Sequence, residues 1–378
     1  MATITTDVVV VGAGAFGAWT ALSLVERGMS VVLVDAYGVG NVLASSGGES
    51  RNIRAAYGER ELYTRWSIEA WQLWKAREEE IGQQLLYPCG SLRALGGDEV
   101  ATQTAMFDRL AHPFEILGGD EVALRWPQLE YRFEHILYEP RSGILLAREA
   151  LLAVVQLFEA KGGRVLQARV LPPTGATVEC VAIDGEKISA NQFVFACGPW
   201  LPKLFPALLS DWIKTPRREL YFVGPAADDM RYDWRHCPNL TDPLGWTSSD
   251  IGSGVKIAPI IRRVPFDPDA GDRTPTPALL DQVQTYVAAR LPGLAGRPVV
   301  ATYVSQLENT DNEHFLIDRH PLWSNVVIAG GGSGHAFKMG PVIGAHVADF
   351  VQNGIQSPEL SALFGLDAHG PVAADQGG

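Results

Sequence analysis

The stretch from Asp7 to Gly17 (DVVVVGAGAFG) sets three glycines at the spacing of a phosphate cradle, and Val31 to Asp35 (VVLVD) follows. Together they predict a strand, a tight turn, a helix and a second strand that ends on an acid. Gly12 permits the turn and Gly14 lets the backbone approach a pyrophosphate. Gly17 lets the helix pack closely on the strand, and Asp35 can accept a ribose hydroxyl. The start of the helix offers N–H groups and a positive dipole end to the diphosphate. The spacing therefore predicts dinucleotide binding; the competing reading is a glycine-rich turn with no ligand.

Two more glycine-rich segments, Ser45-Ser46-Gly47-Gly48 and Gly330 to Gly334, flank elements of the same predicted domain. Three such junctions are more than NAD needs. A flavin dinucleotide is longer, and its ring must be held far from its adenine, so both segments read as clamps on pyrophosphate and ring rather than as flexible loops.

These residues need a scaffold. The valine run reads as a buried parallel strand. Residues 60 to 80 read as a helix whose Leu62, Trp66, Ile68, Trp71 and Trp74 form a core stripe. Helices are predicted near 98 to 110, 148 to 161, 277 to 291 and 340 to 351. Strands are predicted at 164 to 170, 178 to 183 paired with 187 to 190 through the turn Asp184-Gly185, 193 to 196, 220 to 223, 255 to 261 and 325 to 329. Cys197 is read as a buried thiol in an apolar strand, and Gly198 follows it at a third strand-to-loop junction. The fold class is α/β: a Rossmann-type nucleotide-binding domain from 1–85, 146–214 and 300–365, with a β-rich α+β substrate domain from 86–145 and 215–299. Residues 366–378 are expected to be a frayed tail.

Composition narrows the partners. A net charge of −12 argues against nucleic acid and anionic membranes. The four cysteines lack CxxC spacing and the eight histidines lack an HExxH pattern, so no metal is expected. Residues 8 to 25 are uncharged, but their glycines argue against a membrane span. No basic stretch or A-x-A cleavage site precedes them, which predicts a cytoplasmic protein.

Five segments resemble one family: the opening fingerprint; Ser50-Arg51-Asn52-Ile53-Arg54 with Tyr57-Gly58; Phe193 to Leu201; Asn312 to Asp318 (NEHFLID); and Gly332 to Lys338 (GSGHAFK). The chain resembles the FAD-dependent amine oxidoreductases of the D-amino-acid oxidase-like superfamily, on the side of monomeric sarcosine oxidases and N-methyl-amino-acid oxidases. The resemblance implies that Arg54 and Lys338 bind a substrate carboxylate, a role suited to a guanidinium and an ammonium in a partly desolvated pocket. It places Ser50 and Arg51 near the flavin and lets His335 shape its site. It also implies that Lys256, in Gly254-Val255-Lys256-Ile257, stabilises the charge that develops on oxygen.

Three positions depart from the family. Ser305 stands where a cysteine carries the flavin covalently, which implies non-covalent FAD of lower potential. Ile260 replaces a usual histidine and Leu307 a usual tyrosine, which implies a more apolar pocket and a bulkier substrate than sarcosine. The expected reaction oxidises a secondary or N-alkyl amino acid to an imine, with O2 reduced to hydrogen peroxide, by a monomer. Three rivals stay open: an FAD dehydrogenase with another acceptor, an NAD-dependent dehydrogenase and a non-catalytic flavin-binding subunit.

Overall fold

A computed structural model describes residues 3–174, 178, 180–183, 186–260 and 262–369. Strand β1 (Thr3–Val11) lies at the centre of a seven-stranded sheet, parallel to β2 (Val31–Asp35) on one side and to Glu186–Phe195 on the other. Strand Arg164–Gln167 extends the sheet beyond β2, and Trp323–Gly330 extends it beyond Glu186–Phe195. Two antiparallel strands complete it: Leu316–His320 at the edge and Cys180–Ile183 beside Glu186–Phe195. The turn expected at Asp184-Gly185 lies outside the described residues.

The valines of β1 are apolar throughout because both faces of the sheet are covered. Val8 and Val10 pack with helix α1 (Ala15–Glu26) and helices Ala147–Ala160 and Gly340–Asn353. Val9 and Val11 pack the other way, with Phe193, Phe195, Leu201 and Phe205. This period-2 split is the strand geometry itself. Helix α2 (Glu61–Ile81) buries Leu62, Trp66 and Trp74 in the first of these cores, where Trp74 meets Trp19 edge-on at 5.0 Å.

A second sheet has eight strands, in the order Val299–Gln306, Arg217–Val223, Val255–Pro259, Gly245–Ser248, Asn239–Asp242, Ser91–Leu95, His135–Glu139 and Glu115–Leu117. Its first strand lies almost wholly in the 300–365 block expected in the nucleotide domain but joins this sheet, because Arg217 to Val223 pair with it along nearly their whole length. Helix Pro277–Arg290 covers one face through Val283, Tyr286 and Val287, which pack with Tyr221, Val223 and Ile257. The opposite face carries Leu220, Phe222 and Ala258 with Trp246 and Tyr303, and Lys256 lies in register with Phe222. A small third sheet joins β3 (Ser50–Ile53) to Gly143–Leu146 and Leu86–Tyr87.

Two expectations change. Cys197 lies two residues beyond its strand, which ends at Phe195, and is partly exposed, its thiol donating to Val11 O at 3.4 Å. Residues Leu366–His369, expected in the tail, form a 3-10 turn in which the His369 ring nitrogen donates to Phe315 O at 2.9 Å. Residues 370–378 lie outside the described residues.

Candidate active site

The chain leaves β1 towards β2, while the neighbour on the other side arrives from far along the sequence. This is the crevice where open α/β sheets bind ligands. Gly12 sits there with φ +99°, and a β-carbon on it would overlap the Ala196 carbonyl. A β-carbon on Gly17 would overlap the Gly12 carbonyl, so this glycine lets α1 start directly above the turn. The Ala13 N–H donates to Asp35 Oδ2 at 2.8 Å, and the Ala15 N–H donates to Ser46 Oγ at 3.0 Å. Burial raises the Asp35 pKa, opposed by the N–H groups of Ala13, Tyr37 and Gly38.

Around this start lies a cavity of about 270 Å³ whose lining includes Gly12, Gly14, Asp35, Ser45, Ser46 and Gly198. Six of the cofactor residues expected from the sequence thus meet in one place. Ser45 is held by a hydroxyl bond to Gln306 O at 2.8 Å, which ties its loop to the second sheet.

Arg51 braces the same loop. Its guanidinium donates to the carbonyls of Ser45 and Ser50 at 2.7 Å and of Gly47 at 2.6 Å. Lys256, only 1 % exposed, reaches across from the second sheet and donates to Ser50 Oγ at 2.6 Å and Ser50 O at 2.9 Å. Its ammonium lies 5.3 Å from the Trp246 ring. Burial and then the Arg51 charge push Lys256 down to about 7, while Glu49 pulls the other way. Glu49 itself is raised by burial and accepts the Ser253 hydroxyl.

A second pair of cations meets on Tyr57. The Arg54 guanidinium carbon is 5.4 Å from that ring and the Lys338 ammonium 4.8 Å. Arg54 donates to Ala56 O at 2.5 Å, and Lys338 to His335 O at 3.2 Å. Lys338 is 4 % exposed, and burial followed by the Arg54 charge holds its pKa well below the ordinary lysine value. Among the described residues, neither side chain has a carboxylate within ion-pair distance. His335 is kept neutral, pushed down to about 3 chiefly by burial and then by Lys338. Its Nε2 faces the Glu313 carbonyl at 3.0 Å, so that nitrogen carries the proton and Nδ1 accepts the Tyr57 hydroxyl at 3.1 Å. His335 therefore fixes the ring on which both cations rest.

The remaining expected residues separate. Gly332 is buried beside Phe16, while Gly334 is exposed at φ +75°, where a β-carbon would stand 3.3 Å from Leu307 Cδ1. Leu307 thus borders the glycine loop. Ile260 follows the end of its strand at Pro259 and is 58 % exposed. Ser305 is buried and pairs with Arg218 across strands. Sequence reasoning missed Glu139, a buried acid that accepts the Ala55 N–H at 2.6 Å beside Arg54, and Glu308, a buried acid on the cavity wall. Neither carries a local signal, since each looks like an ordinary acid at a strand end.

The sequence profile described as FAD dependent oxidoreductase matches residues 7–350. The chain belongs to the FAD dependent oxidoreductase family. It is 31% identical to the monomeric sarcosine oxidase of Bacillus sp. (strain NS-129), over 96% of each chain. It is 27% identical to the N-methyl-L-tryptophan oxidase of Yersinia pestis (strain Pestoides F), over 94% of this chain and 98% of the relative. The fold matches that of L-proline dehydrogenase from P. horikoshii, with a TM-score of 0.83 at 20% identity, covering 97% and 98% of the two chains.

The family's cofactor fits the residues present. The first turn of α1 would offer N–H groups to a diphosphate, Asp35 an acceptor to a ribose, and the glycines a backbone without side chains. Membership of the FAD dependent oxidoreductases sets aside the NAD-dependent and non-catalytic readings and bears out the amine-oxidoreductase resemblance. Among the described residues, no helix is long and apolar enough to cross a membrane, and no group of three or more His, Cys, Asp or Glu could hold a metal ion.

Proposed function

We propose that the protein is an oxidase of secondary or N-alkyl amino acids that uses non-covalently held FAD and O2. The observation that carries this reading is the convergence of Arg54 and buried Lys338 on Tyr57, with no carboxylate among the described residues within ion-pair distance of either. Two cations in a desolvated place ask for an anion, and a substrate carboxylate answers both. The printed names of the Bacillus and Yersinia relatives support an N-methyl amino acid.

Bound FAD supplies the two-electron oxidation of the substrate C–N bond to an imine. Arg54 and Lys338 hold the carboxylate so that the carbon to be oxidised is fixed. Tyr57, oriented by neutral His335, keeps the two cations together. Lys256 holds a positive charge where O2 takes up the two electrons and, with two protons, leaves as hydrogen peroxide. Water then hydrolyses the imine. Leu307 beside the glycine loop supports a bulkier, more apolar substrate than sarcosine. Ser305 supports a flavin with no covalent link to that position. The monomer belongs to the same reading, supported by the Bacillus relative's name; the cytoplasm rests on sequence alone.

The test is an anaerobic absorbance titration with N-methyl, cyclic and aromatic amino acids, followed by air. Bleaching with rapid recovery of the yellow spectrum is expected for at least one carboxylate-bearing amine. Bleaching with sluggish recovery would replace the oxidase by a dehydrogenase, and no bleaching by any of them would remove the substrate class.

A further inference from the structure

Glu308 stands where the chain passes from strand Val299–Gln306 of the second sheet towards the first. It is 7 % exposed, and its carbonyl accepts the Ser333 N–H at 2.8 Å, which stitches it to the glycine loop. A β-carbon on Gly198 or Gly330 would stand 3.3 Å from its Oε2, and one on Gly332 would stand 3.0 Å from its Oε1. Three glycines from two separate strand ends therefore leave room for this one carboxyl group. Oε2 has no hydrogen-bond partner among the described residues, and the residue lines the cavity beside Gly12, Gly14, Ser45 and Ser46. Buried acceptors are seldom left open, and an open one that faces a ligand cavity is completed by a donor from that cavity.

The chemistry of FAD narrows the donor. Its phosphates only accept hydrogen bonds and would repel a carboxylate. Its adenosine ribose belongs with Asp35 at the end of β2. Between the diphosphate at α1 and the ring lies the ribityl chain, which carries three hydroxyl groups. We propose that Glu308 is a cofactor-positioning residue whose free Oε2 accepts a hydrogen bond from a ribityl hydroxyl of FAD. Burial pushes its carboxyl up to about 7, with the N–H groups of Gly332 and Gly331 opposing, so it carries less charge beside a diphosphate than an exposed glutamate would. This assignment rests on the cofactor and not on the substrate reading above.

The test reads flavin preference rather than turnover. Holoenzyme is equilibrated with mixtures of FAD and its 2′-, 3′- or 4′-deoxyribityl analogue, and the flavins retained by the protein are extracted and quantified. The wild type is expected to prefer FAD over one of the three by roughly 10- to 100-fold, the range of a hydrogen bond to a charged group. Glu308→Ala should lower that preference below about threefold, and Glu308→Gln, which keeps the size of the side chain, should lower it partway. Because a ratio is read, a less stable variant still reports, and Glu308→Gln carries the test if the alanine variant does not fold. A wild type indifferent to all three analogues overturns the proposal. So does a preference that survives in the Glu308 variants.

Discussion

Replacing Lys256 by Met removes a buried charge beside the Trp246 ring and keeps an unbranched stem in register with Phe222. The side chain is nearly inaccessible, so the protein rather than water sets the local dielectric. At an effective dielectric of about 20, a unit positive charge roughly 4 Å from developing negative charge is worth about 4 kcal/mol, or on the order of a thousandfold in rate. The reductive step makes no such demand and should change by less than about fivefold. The assay reduces the holoenzyme anaerobically, mixes it with aerated buffer in a stopped-flow instrument and follows return of the oxidised spectrum. Its pH dependence has a defined sign. Lys256 is pushed down to about 7, and negative charge on reduced flavin raises it again. Reoxidation by the wild type should therefore slow with rising pH above a break at or above about 7, and Lys256→Met should show no break. A variant that reoxidises within about threefold of the wild type at neutral pH refutes the assignment.

Other outcomes follow from the same geometry. Acid precipitation should leave the yellow colour in the supernatant, since Ser305 offers no thiol; flavin retained in the pellet would place a covalent link elsewhere. Arg54→Met and Lys338→Met should each raise KM for a carboxylate substrate by roughly 10- to 100-fold and leave oxidation of a decarboxylated amine nearly unchanged. Because burial depresses Lys338, carboxylate binding should weaken as pH rises through a value below that of an ordinary lysine, and Lys338→Met should lose that limb. Gly12→Ala, which drives a β-carbon into the Ala196 carbonyl at φ +99°, should lose bound flavin and at least about 2 kcal/mol of stability, read by the flavin-to-protein absorbance ratio and a thermal melt.

The parts legible in the sequence are those that local physics writes locally. A valine run, three glycines and an acid at the end of the next strand specify β1, the turn, α1 and Asp35 within one short segment. Arg54 and Lys338 became visible only through a resemblance, because their meeting on Tyr57 joins residues from opposite ends of the chain and leaves no periodic trace. Glu308 stayed hidden for a related reason: its burial is made by Gly198, Gly330 and Gly332, none of them its sequence neighbours. No local signal in strand Val299–Gln306 tells which sheet it joins; its pairing with Arg217–Val223 decides that.

The central strand of the nucleotide sheet pairs with residues 31–34, near it in sequence, and with residues 187–195, far from it, and strand Trp323–Gly330 lies beyond the latter. During synthesis, then, the glycine turn emerges from the ribosome long before the partners that shape its other wall. Gly198, Glu308 and Gly332 reach it only when most of the chain has been made. A C-terminally shortened chain that lacks Glu308 and Gly332 therefore presents a cradle with one wall missing, even though its glycine turn is intact.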